Sequence, residues 1–192
     1  MPDLNELYSD QETLAQIKEA FYQNKHFPNI KLGEFFDDPY LLSDKLQLLD
    51  FKHERDPLHH NYHKAVLPSD LVARLQIQLV PLLRTFNLTS LKEAFVYRLT
   101  HKSYSMLTDE DETPNKKTMD VLLDVSDEWD EGFGGDIVYV KSDDEPLEVE
   151  PSPNTAIFVE KEAGTKSFIK YCNHYSKEYE RYVVVLTFRV NE

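Results

Sequence analysis

Near the start of the chain, apolar positions recur at helical spacing. Leu14, Ile17 and Phe21 form this pattern, and the segment Ser9-Asp10-Gln11-Glu12 stands before them. The segment has the form of a capping box, in which the Ser9 hydroxyl and the Glu12 carboxylate satisfy free backbone donors at a helix start. We predict a first helix over about residues 10–24.

A second helical pattern begins at Asp38. This carboxylate precedes Pro39, whose fixed φ suits the first turn of a helix, so Asp38 is placed to cap that turn. Leu42, Leu46 and Leu49 then supply one apolar face. The pattern predicts a second helix.

A third helix is predicted where Leu71, Leu75 and Leu79 recur four residues apart. Ser69 is placed to cap its start. Pro81 has no amide hydrogen and its ring crowds the preceding turn, so we expect it to kink or end this helix.

From about residue 95 the apolar positions alternate with a period of two, and Asp, Gly, Pro and Ser separate the apolar runs. No helical pattern lies between these runs, which favours antiparallel sheets over a parallel α/β sheet. We predict an α+β fold with one domain over 1–192, in which a mainly helical part (1–94) buttresses jelly-roll strands (95–192). The predicted strands are 95–99, 104–107, 119–125, 137–140, 155–159, 167–171 and 182–190.

Composition and charge narrow the classes of function. With 192 residues, 41% of them hydrophobic, the chain can close one core. A net charge of −14 repels a phosphate backbone or an anionic membrane, so we predict no direct nucleic-acid partner and no membrane partner. The segment 109–150 holds 16 acidic and three basic residues. A basic protein could bind such a face, and a solvated surface without a partner is the alternative.

Cysteine content and hydropathy bear on location. Cys172 is the only cysteine, so no intramolecular disulfide is possible and an oxidising compartment is not indicated. No apolar run approaches the roughly 20 residues that span a bilayer. We therefore expect the protein in the nucleus and cytoplasm. The neighbours of Cys172 are aromatic and apolar, which predicts an unactivated thiol.

The strongest motif begins at a tryptophan. Trp129-Asp130-Glu131-Gly132-Phe133-Gly134-Gly135-Asp136-Ile137-Val138-Tyr139 contains adjacent glycines, which allow a tight turn into the next strand. It resembles the W-x(n)-G-G-x-L/I turn of prolyl-hydroxylase-type oxygenases, which depend on 2-oxoglutarate and Fe(II). Pro153-Asn154-Thr155-Ala156-Ile157-Phe158 resembles a strand of that family, and Ser167-Phe168-Ile169 stands in the place of its S-F-H segment. Arg181 resembles the arginine that binds the 2-oxoglutarate carboxylate.

Within these oxygenases the chain is most similar to the C-terminal half of the eukaryotic two-domain ribosomal-protein prolyl hydroxylases. That group includes fungal oxygen-dependent regulators of transcription-factor turnover. Leu4-Asn5-Glu6-Leu7-Tyr8 and the segments 30–36 and 168–174 carry this similarity. It implies a double-stranded β-helix, and a degenerate copy of an active N-terminal oxygenase domain within a longer protein. The cofactors of that longer protein would be Fe(II), 2-oxoglutarate and ascorbate.

The similarity also implies that the metal-binding positions have changed. A non-haem Fe(II) oxygenase holds its metal with two histidines and one carboxylate. The first two ligands fall in Leu107-Thr108-Asp109-Glu110-Asp111, which has no histidine. Depending on register, Thr108 or Asp109 takes the histidine position and Glu110 or Asp111 is the remaining carboxylate.

The third ligand position is occupied by Ile169, which has no donor atom. We therefore predict no metal, no cofactor and no catalytic residue in this domain, with Arg181 at a vestigial 2-oxoglutarate position. His59, His60 and His63 are a second group of possible ligands. Pro57 and their polar context predict a loop before the third helix instead, with a structural or exposed role.

We expect a non-catalytic protein-interaction and regulatory domain. The similarity implies that it supports hydroxylation of a small-subunit ribosomal protein by the N-terminal domain. It also implies that the domain promotes degradation of a hypoxic transcription factor, under control of a regulatory binding protein. The expected partner-binding residues are Asp127, Glu128, Asp130 and Glu131. Two alternatives stay open: an active oxygenase with an atypical metal site, and a jelly roll that binds a small ligand.

Overall fold

A computed structural model describes residues 1–107, 116–126, 128–141 and 145–191. Within these ranges no helix is both long enough and apolar enough to cross a membrane. The helices are α1 (Gln11–Phe21), α2 (Tyr40–Gln47) and α3 (Ser69–Thr85). The strands are β1 (Asn29–Leu32), β2 (Lys52–Asp56), β3 (His60–Val66), β4 (Leu88–Leu99), β5 (Tyr104–Ser105), β6 (Thr118–Asp124), β7 (Ile137–Val140), β8 (Leu147–Val149), β9 (Thr155–Lys161), β10 (Lys166–Ile169) and β11 (Arg181–Val190).

The strands form two antiparallel sheets. The larger sheet has the order β1-β9-β6-β11-β4-β3-β2, with β5 paired to β3. The smaller sheet has the order β10-β7-β8. Strands distant in sequence are neighbours, as in the central pairs of β11 with β4 and with β6. The predicted α+β jelly roll, with helices packed against one sheet, is confirmed.

Alternating side chains of the larger sheet build two separate cores. On β11, Val184, Leu186 and Phe188 point toward the helices and join a cluster that includes apolar residues of all three helices. Val183 and Val185 point the other way, into a cluster shared with the smaller sheet. This alternation follows from the period of two in a strand, and burial of both faces explains why β11 reads as a continuous apolar run.

The segment 1–94 contains strands that the sequence pattern did not predict. β1, β2, β3 and the first half of β4 all belong to the larger sheet. In particular, the segment before the third helix, predicted as a loop, forms a hairpin of β2 and β3. β2 lies at the sheet edge and consists of polar residues that are exposed or half-buried, so no apolar alternation marks it.

The helix boundaries correct three details of the predictions. Asp10, not Ser9, caps α1: its carboxylate accepts from the Thr13 amide at 2.8 Å. Ser69 makes no capping hydrogen bond at the start of α3. This helix continues through Pro81 to Thr85, because the lost amide lies opposite the carbonyl of Ile77, a residue exposed to water.

Asn154 fixes the N-terminal segment to the start of β9. Its side chain accepts from the Phe36 amide at 2.9 Å and donates to the Phe36 carbonyl at 2.9 Å. Its backbone carbonyl accepts from the amide of Phe35 at 3.0 Å. Asn154 adopts a positive φ of 50°, which asparagine tolerates better than most residues. These bonds hold the buried rings of Phe35 and Phe36 against the helix-side core.

The tight turn at Gly134 supplies a test of the packing at one end of the smaller sheet, between the turn before β7 and the segment after β10. Gly134 has φ 77° and ψ −159°, and an added Cβ would lie 2.3 Å from the Tyr171 carbonyl oxygen. We expect Gly134→Ala to reduce the free energy of unfolding by about 3 kcal/mol or more, measured by urea denaturation.

Gly164→Ala is the matched control, because Gly164 has a φ of 86° but no atom within 4 Å of an added Cβ. It should cost only the backbone strain, about 1–2 kcal/mol. Equal losses in the two variants would mean that the contact with Tyr171 does not constrain the turn.

Candidate functional site

The turn that follows β6 is built on Trp129. The indole is buried, and its Nε1 donates to the Gly134 carbonyl at 3.0 Å. An added Cβ on Gly135 would lie 3.0 Å from Cys172 Sγ and 3.5 Å from the Trp129 ring. The two glycines therefore let this turn pack directly on the segment that follows β10.

Arg181 lies beneath this turn and is 1% exposed. Its Nε and Nη2 donate to Asp124 Oδ2 at 2.9 and 2.8 Å. Its Nη1 donates to the carbonyl of Gly135 at 2.6 Å. The guanidinium that resembles a 2-oxoglutarate contact is thus paired with a carboxylate of the chain itself.

Asp124, at the end of β6, has both carboxylate oxygens occupied. Oδ1 accepts from the amide and the hydroxyl of Ser126, at 3.2 and 2.7 Å. Oδ2 accepts from the Ser152 amide at 3.2 Å in addition to Arg181. Because the side chain is 2% exposed, these donors replace the water that an exposed carboxylate would bind. The pair is a closed, neutral unit.

A second buried carboxylate, Asp120, lies four residues earlier on the same face of β6. It accepts from the Tyr139 hydroxyl at 3.0 Å and the Thr187 hydroxyl at 2.7 Å, and pairs with Lys161 Nζ at 2.8 Å. Burial, followed by the charge of Asp120, raises the pKa of Tyr139 well above its usual value. This group lines a cavity of about 320 Å³ between the sheets, to which Lys64 also contributes.

The structure places Ile169 in the core between the sheets. Its side chain is 3% exposed and belongs to the apolar cluster that the larger sheet shares with the smaller sheet. Its amide donates to Ser105 Oγ at 2.8 Å. Thr108, Asp109 and Asp111 lie outside the described residues, as does Glu110. In the parts of the chain that the structure describes, no group of three or more His, Cys, Asp or Glu side chains could hold a metal. An aliphatic side chain and a paired arginine do not fit an Fe(II) and 2-oxoglutarate site.

The remaining candidate groups are not arranged for catalysis. His60 and His63 lie three residues apart on β3, so they face opposite sides of the sheet, while His59 pairs with Asp56 at 3.1 Å in the hairpin turn. Cys172 is fully buried, and burial raises the pKa of its thiol to about 12. A thiol with this pKa is not a nucleophile at neutral pH.

The acidic segment 109–150 is only partly a surface. Asp120, Asp124 and Asp136 are buried, so they cannot belong to a docking face. Of the four expected partner-binding residues, Glu128, Asp130 and Glu131 are exposed, and Asp127 lies outside the described residues. Asp130 also has a structural task, because its carboxylate accepts from the Gly132 amide at 2.7 Å.

Sequence reasoning missed Asp120 and Asp124, although a signal was present. Both interrupt the apolar run 119–125, and their spacing of four puts them on one face of a strand. A carboxylate on a buried strand face needs partners, so this pattern predicts a polar group inside the jelly roll. Arg181 was found only through resemblance.

No family model matches the chain, and no curated protein matches it. Several solved structures do match. A prolyl hydroxylase from Trichoplax adhaerens, in complex with a hypoxia inducible factor oxygen degradation domain peptide fragment, has a TM-score of 0.68 at 10% identity. The match covers 97% of this chain and 96% of that chain.

Two bacterial structures have the same fold as this chain. A 2OG-Fe(II) oxygenase family oxidoreductase from Burkholderia pseudomallei has a TM-score of 0.67 at 14% identity, covering 94% of this chain and 92% of that one. A Pseudomonas putida prolyl-4-hydroxylase has a TM-score of 0.64 at 11% identity, covering 92% and 100%. The predicted double-stranded β-helix of the oxygenase and prolyl hydroxylase type is confirmed as a fold. The similarity to the C-terminal half of the two-domain ribosomal-protein prolyl hydroxylases stays a prediction.

The pairing of Asp124 with Arg181 can be tested by a double-mutant cycle. Asp124→Leu and Arg181→Met each leave one charge buried without its partner, which should cost about 3–5 kcal/mol in the free energy of unfolding. The double variant removes both charges, so its loss should be smaller than the sum of the two by more than about 1 kcal/mol. Urea denaturation at pH 7 measures all three, and strictly additive losses would contradict the pairing.

Proposed function

We propose that this chain is a non-catalytic protein-interaction domain on the 2-oxoglutarate oxygenase fold. The observation that carries the proposal is the state of Arg181. Three of its five N–H donors end on Asp124 and on the Gly135 carbonyl, so the Nε and Nη2 edge that would hold a carboxylate in bidentate fashion is already occupied. Ile169, at the expected third metal position, offers no donor atom.

A carboxylate within the chain competes strongly with a free one. Asp124 is held next to Arg181 by the register of β6 and β11, in which Asp124 pairs with Val183. It therefore acts at a far higher effective concentration than a metabolite in solution. To bind, 2-oxoglutarate would have to displace Asp124 and leave its charge buried, which is strongly unfavourable.

The proposed interaction surface is the turn around Trp129. Glu128 and Glu131 are exposed there, while Trp129 and the contacts of Gly134 and Gly135 hold the backbone rigid. A rigid turn loses little conformational entropy on binding, and its charge favours a basic partner surface. On this proposal the partner is the active oxygenase domain of a longer protein, together with a regulatory binding protein.

The further roles follow from the resemblance and are part of the proposal. The domain would support hydroxylation of a small-subunit ribosomal protein by the active domain. It would also promote degradation of a hypoxic transcription factor, acting in the nucleus and cytoplasm. Fe(II), 2-oxoglutarate and ascorbate would then serve the partner domain and not this one.

One observation favours a second candidate, a jelly roll that binds a small anion. The cavity of about 320 Å³ between the sheets is lined by Lys64, Lys161 and Lys166 together with Glu93 and Asp120. Lys64 is half-buried, with its Nζ 3.8 Å from the centroid of the Phe95 ring, and burial lowers its pKa. An anion there would not need Arg181.

Anaerobic titration with Fe(II) and 2-oxoglutarate tests the loss of chemistry. We expect no visible metal-to-ligand charge-transfer band. Binding of 2-oxoglutarate to the folded state would raise the Tm, so we also expect no rise in Tm at about 100 times the Kd of an ordinary 2-oxoglutarate site. A charge-transfer band would overturn the proposal. A Tm increase without the band, abolished by Lys64→Met but kept in Arg181→Met, would favour the small-anion candidate instead.

Charge reversal tests the interaction surface. Glu128→Lys with Glu131→Lys should weaken binding to the active oxygenase domain of the same protein at least about tenfold, and should reduce its salt dependence. Isothermal titration calorimetry at two salt concentrations measures both effects. Glu12→Lys with Glu19→Lys makes the same charge change at exposed positions on α1 and should leave the affinity within about threefold. Equal weakening by both double variants would discard this surface.

A further inference from the structure

A second surface has the opposite charge. A cavity of about 540 Å³ opens beside the β2–β3 hairpin and the turn that joins β4 to β5. We call it the cationic cavity. Among the described residues, its lining contains two permanent cations and three histidines and no carboxylate, in a chain whose net charge is −14. The lining residues are His53, Arg55, Pro57, Asn61, His63, Thr100, His101, Lys102, Ser103, Tyr104 and Tyr171.

Strand register gathers one side of the cationic cavity. His53 stands opposite His63, and Arg55 stands opposite Asn61, so these side chains share one face of the hairpin. The two imidazoles stack with centroids 4.5 Å apart and an interplanar angle of 14°. His53 Nε2 also bonds Asn61 Oδ1 at 2.7 Å. Within the described ranges, Arg55 forms no ion pair, so its charge is available to a ligand.

Lys102 forms the other side and is held in an unfavourable backbone conformation. Its φ is 69°, which L residues other than Asn and Asp rarely adopt. Two hydrogen bonds fix it there: its amide donates to the Cys172 carbonyl at 2.9 Å, and its carbonyl accepts from Asn61 Nδ2 at 2.6 Å. Strain of this kind persists where surrounding contacts impose it, often at binding sites.

Two buried polar atoms beside the cationic cavity lack a partner within the described part of the protein. His63 Nδ1 and Arg98 Nε are buried without a hydrogen-bond partner among the described residues. Burial and then the charge of Arg98 lower the pKa of His63. Arg98 stands opposite His63 on β4, so an approaching anion would meet its charge as well as those of Arg55 and Lys102, while the Glu180 carboxylate also acts on His63.

An apolar groove continues from the cationic cavity and shares Tyr104 and Tyr171 with it. The groove runs along β10 and exposes Met106, Leu107 and Tyr171, at 56%, 40% and 52% of their full areas. Adjacent exposed apolar side chains of this size are typical of protein contact sites. A ligand that fits both parts carries negative charge at one end and an apolar side chain at the other.

We propose that the cationic cavity and this groove bind an acidic peptide segment of a partner protein. Two or three carboxylates of the segment would occupy the cavity beside Arg55 and Lys102, and a neighbouring apolar residue would lie on Met106 and Tyr171. A nucleic acid is disfavoured, because its dense phosphates meet the repulsion of the whole chain. This inference does not depend on the proposed function, since it does not use the charges of the Trp129 turn or the state of Arg181.

Fluorescence anisotropy with a fluorescein-labelled peptide that alternates Glu-Glu-Leu units tests the proposal on the intact chain. We expect saturable binding to the wild type, and a loss of at least about tenfold in affinity for Arg55→Glu with Lys102→Glu. Lys18→Glu with Arg84→Glu makes the same charge change at the helix-side surface and should alter affinity less than about threefold. Circular dichroism spectra and Tm measurements establish that both double variants are folded.

Further binding measurements distinguish the possible ligands. A peptide with Ser in place of each Leu should bind more weakly, because it leaves the groove empty, and Met106→Ser should remove that difference. Inorganic phosphate should displace the peptide only at much higher concentration than the unlabelled peptide does. No saturable peptide binding, equal weakening by both double variants, or displacement by phosphate as effective as by peptide would each overturn the proposal.

Discussion

Asp124 and Arg181 lie on adjacent central strands, and each makes the burial of the other possible. Arg181 opens β11 and Asp124 closes β6, so the register of these two strands brings the charges together. The guanidinium then reaches Gly135 at the start of the smaller sheet, while the carboxylate reaches Ser152 before β9. One ion pair thus joins three strand ends and the Trp129 turn, and the two sheets meet around it.

The Asp124–Arg181 pair also distinguishes a structural role of this arginine from a role in binding a substrate. A jelly roll that binds an anionic substrate through a buried arginine must keep that arginine open, and the desolvation cost of its charge is recovered only when the substrate binds. Here Asp124 and its donors from Ser126 and Ser152 satisfy the charge permanently. The burial of Arg181 therefore does not depend on a bound ligand, which agrees with the proposed role as a rigid interaction domain.

The sequence predicts the strands that apolar runs mark and misses the short or polar strands that have no such run. β6, β7, β9 and β11 were found within one or two residues at most boundaries, since continuous apolar runs mark them. β2 has no such run, because an edge strand can consist of polar residues. The partner of Arg181 could not be predicted by pattern, because Asp124 is 57 residues away and only strand register brings them into contact. The cationic cavity was not predicted either, because the segment that holds His63 was predicted as a loop and not as a strand of the hairpin.

The two proposed binding surfaces are mechanically connected. Glu128 and Glu131 flank the turn whose Gly134 packs on the Tyr171 carbonyl, and Tyr171 itself lines the cationic cavity. The next residue, Cys172, accepts from the strained Lys102 amide through its carbonyl and donates to Ser103 at 2.8 Å. A few buried, hydrogen-bonded residues therefore fix the distance between an acidic face and a basic one. Because packed interiors deform little, partners bound at the two surfaces would be held in a fixed relative orientation.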